Sequence, residues 1–249
     1  MTRSIVTLVL LLATTLPLEG ARRRPLLRPP LPAATITVRD DFRFGPLGWE
    51  AGFADYAPVN GGMELLAGIR PLPPEIAPAA NGFYVQGHNR SDDLFMFLHK
   101  RLRSADGIRA GQRYEATFRI VLDSQAGDGD VCAGVGGAPG ASVYLKAGAT
   151  GEEPRVVLDP EDEHWRMTVD KGNQSVGGPA ASIVGTIENG TKRCESEAPF
   201  VRLEKTHVHT TVVTASPSGE IWLLVGTDSA FEGLTRLYYE SIEVTLTPK

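Results

Sequence analysis

Residues 221–246 read IWLLVGTDSAFEGLTRLYYESIEVTL, two apolar runs on either side of a polar, glycine-punctuated segment, GTDSAFEG at 226–233. That is the pattern of a strand, a loop and a closing strand. In the second run Ile242, Val244 and Leu246 fall on one side and Ser241, Glu243 and Thr245 on the other. A period of two marks a strand with one buried face. Carried back, the same phase turns Glu240 and Tyr238 inward, so a carboxylate is expected against the core.

The same alternation recurs along the chain. It is cleanest after Gly111-Gln112, where Tyr114, Ala116, Phe118, Ile120 and Leu122 face one way and Glu115, Thr117 and Arg119 the other. Near the start, Ile36, Val38, Phe42 and Phe44 share a phase that also turns Asp40 inward. The run LFMFL at 94–98 is apolar at every position, which fits either a strand covered on both faces or a buried helical piece; its length and aromatic content favour strand. Further short strands are expected at 63–69, 83–88, 143–147, 155–158, 165–169, 183–187 and 204–214. No segment has the amphipathic length of a stable helix, so the expected class is all-β, a sandwich or jelly roll. A parallel α/β fold is excluded because its crossover helices are missing.

The chain of 249 residues suffices for one such domain. Residues 1–21 combine one arginine with an apolar run too short for a comfortable membrane span, and are expected to be a secretory signal. Arg22, Arg23, Arg24 and Arg28 follow that run, which keeps a signal anchor open as the alternative. Residues 22–34 form a proline- and arginine-rich linker, and 35–249 the domain. Export would place the mature protein outside the cell or in a periplasm, with no membrane span. Net charge −5 and a pI near 5.6 leave no basic stripe for nucleic acid. Cys132 and Cys194 either pair, contributing about 3 to 4 kcal/mol in the chain-entropy account, or remain two thiols. Asn89, Asn173 and Asn189 begin glycosylation sequons and are expected on surface loops.

Several groups could carry chemistry. Asp40 and Glu240, both expected to face the core from the first and last strands, could share a structural calcium ion, with Asp41 and backbone carbonyls completing the shell. The alternatives are pairing with Arg39 or Arg43, or a bulge that turns both to water. Asp123, Asp128 and Asp130 make a second acidic group, in a solvated turn or on calcium. The glycines of 134–140 lack the ending of a phosphate loop and allow a tight bend. His88, Arg90 and Asp92 concentrate polar groups before LFMFL; Lys171 and Asn173 do so in DKGNQS; Asp228 and Glu232 stand on the expected loop of the closing segment. These seven are the expected ligand contacts, and Asp92 with Asp228 or Glu232 is the one pairing with a use in glycoside cleavage. His207 and His209 share a strand face without a third zinc ligand, so exposed histidines are expected. Serine-hydrolase and zincin motifs are absent.

The opening DFRFGPLGW (41–49) and the closing LYYESIEV (237–244) resemble the ends of galactose-binding-like jelly rolls of the carbohydrate-binding type. The middle, with GHNRSDDLFMFL, SVYLKAG, DKGNQS and VGTDSAFEG, resembles an uncharacterised group of secreted bacterial proteins. The first resemblance implies a jelly roll, and a calcium-binding acidic residue near the start of the last strand. The resulting expectation is a secreted, non-catalytic domain binding a glycan or cell-envelope component. A polysaccharide hydrolase or lyase using loop carboxylates, and a structural envelope protein, are the alternatives. Trp49, Trp165 and Trp222 all lie in apolar surroundings, so no solvent-facing tryptophan pair is evident.

Overall fold

A computed structural model describes residues 32–58, 61–90, 93–127, 137–192 and 198–249. The leader, most of the linker, Asp92, Asp128, Asp130, Cys132 and Cys194 lie outside the described residues.

Ala33–Lys249 is one compact unit. Its strands are β1 (Ile36–Asp41), β2 (Trp49–Ala54), β3 (Leu66–Pro71), β4 (Asn81–His88), β5 (Leu94–Leu102), β6 (Arg113–Ser124) and β7 (Val143–Thr150). The series continues with β8 (Val156–Leu158), β9 (Trp165–Met167), β10 (Ser182–Thr186), β11 (Val201–Val208), β12 (Val213–Thr214), β13 (Ile221–Ser229) and β14 (Leu234–Pro248). One sheet runs β11-β6-β14-β4-β3, with β1 on β14 and β12 on β6; the other runs β10-β7-β13-β5-β2. Every ladder between these strands is antiparallel. The fold is an all-β jelly-roll sandwich, the architecture implied by the resemblance at its ends.

The core lies between the sheets. Tyr114, Ala116, Phe118, Ile120 and Leu122 of β6 are all fully buried there, opposite Leu145, Leu223 and Val225 of the second sheet. A second, smaller core lies on the outer face of the second sheet. Phe95 and Phe97 of β5, Leu224 of β13, Ala54 and Ala181 are buried there, packed by Val156 and Met167 of the β8–β9 hairpin. This double cover explains LFMFL: Leu94, Met96 and Leu98 serve the main core while Phe95 and Phe97 serve the outer one. Burial at about 25 cal/mol per Å² of apolar surface favours both faces, so neither keeps a polar signature.

Two expectations about the ends are corrected. The first strand stops at Asp41, and a 3-10 turn over Phe42–Phe44 buries Phe42 and leaves Phe44 exposed. In β14 a bulge between Tyr239 and Ser241 flips the phase, so Tyr239 and Ile242 both face the core and Glu240 lies on the outer face.

Candidate functional site

Asp40 and Glu240 do not share a site. Asp40 faces inward, where its Oδ2 accepts from Lys100 Nζ at 2.6 Å and Trp49 Nε1 at 2.9 Å, an ion pair that ties β1 to the second sheet. Glu240, displaced outward by the bulge, takes a two-pronged contact from Arg202. Each carboxylate therefore has a cation partner of its own. Beside Glu240, Asp123 is fully buried, and burial together with Glu240 pushes its carboxyl up to about 7.

The expected ligand residues separate into two groups. His88 Nδ1 lies 3.1 Å from Glu64 Oε1, and Arg90 donates to Gly62 O at 3.0 Å, so these two belong to a local polar cluster at the end of β4. Glu232 is exposed in the turn after β13. Lys171, Asn173 and Asp228 come together. Asp228 is on strand β13 and not on a loop, because the ladder to β5 and β7 continues through Ser229. It is fully buried on the outer face of the second sheet.

Around Asp228 the structure builds an ionic centre. Its Oδ2 accepts from Lys146 Nζ at 2.6 Å, Lys171 Nζ at 2.7 Å and the Gln174 amide at 3.0 Å. Lys146, on β7, is itself 0% exposed and also donates to the carbonyls of Lys171 and Val176 at 3.1 and 3.0 Å. Lys171 Nζ lies 2.6 Å from Asp55 Oδ2, and Arg166 Nη1 lies 3.3 Å from Asp55 Oδ1. Asp55, the residue after β2, has φ +64°, a left-handed conformation uncommon outside glycine. Asp93, the residue before β5, meets Asp228, and burial together with a hydrogen bond to Asp228 and its like charge pushes the Asp93 carboxyl up to about 8. Asp55, Asp93 and Asp228 each offer one oxygen, and these lie within 4.8 Å of one another, close enough to hold a metal ion. Above them opens a cleft of about 330 Å³ bordered by Arg166, Asp170 and Asn173.

A larger cleft, about 550 Å³, lies on the same sheet face beneath the β8–β9 hairpin. Phe53, Tyr56, Phe97, His99 and Trp165 line it, and Glu153 and Arg155 stand exposed at its rim. Gly52 makes room for its floor: a Cβ there would lie 2.2 Å from Phe97 Cζ. Trp165 is fixed by its backbone, which bonds Asp55 N at 2.5 Å and Tyr56 O at 2.9 Å. Burial holds His99 below the ordinary imidazole range, and its Nδ1 is buried without a hydrogen-bond partner. Trp222 stacks on the His99 ring at 5.5 Å, and the Arg101 guanidinium lies 5.7 Å from the centre of the Trp222 ring. Trp165 and Trp222 thus both border one outer face, an aromatic array that the apolar context of each residue concealed.

Other motifs resolve differently from expectation. His207 and His209 are not exposed strand histidines: Ser182 Oγ lies 2.7 Å from His207 Nε2 and 2.8 Å from His209 Nδ1. His209 Nε2 lies 3.0 Å from the Pro179 carbonyl, which only accepts, so Nε2 carries the proton and Nδ1 accepts from Ser182. The group latches β10 of one sheet to β11 of the other. Asn89 is also corrected, since it is 1% exposed and donates to Ser229 O at 3.1 Å, which closes that sequon to a glycan. Among the described residues no helix is long and apolar enough to cross a membrane.

No family model matches the chain, and no curated protein matches it. Solved structures do. The K3 cleaved adhesin domain of Lys-gingipain from Porphyromonas gingivalis W83 aligns with 84% of this chain and 98% of its own at 11% identity and TM-score 0.40. A family 11 carbohydrate-binding module from Clostridium thermocellum, in complex with a mixed-linked tetrasaccharide, covers 84% of this chain and 94% of its own at 14% identity and TM-score 0.37. TmCBM61, in complex with beta-1,4-galactotriose, covers 84% and 94% at 10% identity and TM-score 0.36.

Proposed function

We propose that the protein is a secreted, non-catalytic module that binds a glycan of a cell-surface or envelope polymer in the aromatic cleft of the second sheet. The observation that carries this is the lining itself: Tyr56, Phe97 and Trp165 around about 550 Å³, with the His99 ring among them. A pyranose ring has an apolar C–H face and a belt of hydroxyls. Flat aromatic side chains cover the first, and a few polar atoms orient the second. The opposite charges of Glu153 and Arg155 at the rim suit a neutral sugar.

The geometry gives the hydrolase alternative less support. Asp228, its proposed carboxylate, is fully buried beneath Lys171 and Gln174, so it has no approach to a glycosidic bond, and Glu232 lines neither cleft. A glycan array followed by affinity electrophoresis tests the binding reading. Saturable binding that Trp165→Ala abolishes, with the fold intact by circular dichroism, is expected; a blank array, or binding indifferent to Trp165, refutes it.

A further inference from the structure

The hydroxyl of Ser182 ties the edges of the two sheets together, and its hydrogen-bonding capacity is full. Its Oγ lies 2.7 Å from His207 Nε2, 2.8 Å from His209 Nδ1 and 3.2 Å from the Thr210 amide. A hydroxyl has one proton and two lone pairs. The Thr210 amide donates to one lone pair, and the proton goes to His209 Nδ1, because Nε2 of that ring already donates to the Pro179 carbonyl. The second lone pair receives the proton of His207 Nε2. Two neutral rings therefore satisfy the whole group.

One added proton fits this arrangement and a second does not. On His207 it enters at Nδ1, which takes no part in the group. On His209 it enters at Nδ1 and turns the acceptor of the Ser182 proton into a donor. Three N–H groups would then face the two lone pairs of Oγ, with a like charge on either side. The surroundings offer no compensation. On β6, Phe118 is the partner of His207; on β11, Lys205 shares its face; and the Asp170 carboxylate accepts from the Gly172 amide instead. Burial lowers both rings, and the His207 charge lowers His209 further.

What this group holds is otherwise lightly tied. β10 is an edge strand of five residues, and its ladder to β7 is interrupted by a register shift between Ile183 and Gly185. The segment before it, 170–181, covers the ionic centre through Lys171 and Gln174, and its Pro179 is the carbonyl bound to His209.

We propose that Ser182, His207 and His209 form an acid-operated latch: a proton on His209 frees β10 and segment 170–181 from the first sheet while the rest of the sandwich stays folded. Ile183 is the ladder partner of Lys146, so release of β10 uncovers the ionic centre from its side and opens the smaller cleft. The latch does not depend on the sugar-binding reading.

Hydrogen exchange on the whole protein, corrected for the intrinsic effect of pH on exchange, tests it. Between about pH 7.5 and about pH 5 the amides of Gly178, Ala180 and β10 should lose protection, by roughly tenfold per pH unit once His207 is charged, while β6 and β13 keep theirs. Ring nitrogen-15 spectra of the wild-type protein should show both histidines as Nε2–H tautomers at neutral pH, and the loss of protection should track the titration of His209, a readout that depends on no variant. His207→Gln keeps a donor to Ser182 and removes the neighbouring charge, so its latch should open at higher pH. Protection of β10 that is unchanged in acid overturns the proposal. So does loss of protection by all strands together, or opening that tracks His207.

Discussion

Replacing Asp228 by asparagine removes one charge and almost no volume, and it isolates what the buried ion pair contributes. In the native protein Asp228 and Lys146 are both 0% exposed, with Lys146 Nζ 2.6 Å from Oδ2. After Asp228→Asn, Lys146 retains only two backbone carbonyls, at 3.1 and 3.0 Å, and no countercharge of its own. Breaking a buried pair by removing one partner costs about 3 to 5 kcal/mol, chiefly the desolvation of the stranded charge. At roughly 2 to 4 °C per kcal/mol for a domain of this size, the melting temperature should fall by about 10 °C. Urea denaturation followed by circular dichroism, with chelator present so that no metal contributes, measures it directly. The double variant Asp228→Leu/Lys146→Met should recover part of the loss, since apolar replacement of both partners removes the stranded charge. A change below about 1 kcal/mol in Asp228→Asn would refute the assignment of a buried pair.

Further outcomes follow from the same geometry. Asp123 is held up to about 7 by burial and by Glu240, so its contribution to stability is full below the unfolded carboxylate range, about 4, and is lost as pH rises through about 7. Asp123→Asn should flatten that fall in a denaturation midpoint measured against pH. His207 and His209 are held below the ordinary imidazole value by burial, so their contribution is present above about 6.5 and is lost as pH falls below it. Ser182→Ala, which leaves His209 Nδ1 without its donor, should cost about 1 to 3 kcal/mol by urea titration. Gly52→Ala places a methyl group 2.2 Å from Phe97 Cζ, which should cost about 1 to 3 kcal/mol and weaken glycan binding by displacing the cleft floor.

How far the sequence could be read depended on which faces were covered. β6 was legible because one face meets the core and the other meets water, so Tyr114 to Leu122 alternate cleanly. β5 and β13 bury both faces under separate cores, and a strand without a polar face has no readable phase. That is why Asp228 looked like a loop residue, and why Trp222 gave no sign of facing outward. β14 failed at its bulge: Tyr238-Tyr-Glu-Ser241 carries no alternation that would betray an extra residue. A usable signal for the ionic centre did exist in Lys146, a lone cation inside the apolar VYLKAGA. A lysine there needs a buried carboxylate, and Asp228 lies diagonally across the ladder, two residues beyond Gly226, the register partner of Lys146. The aromatic cleft had no such signal, because Phe53, Tyr56, Phe97 and Trp165 meet only through tertiary packing.

The central claim is that a sugar occupies the cleft of the second sheet. The most direct measurement is a nitrogen-15 NMR titration of the wild-type protein with the oligosaccharide that binds most strongly on an array. Saturable shifts confined to Gly52, Tyr56, Phe97, His99 and the Trp165 indole are predicted. Shifts gathered instead on the outer face of the first sheet, around Tyr84 and Tyr238, or no shifts at saturating sugar, would contradict the account.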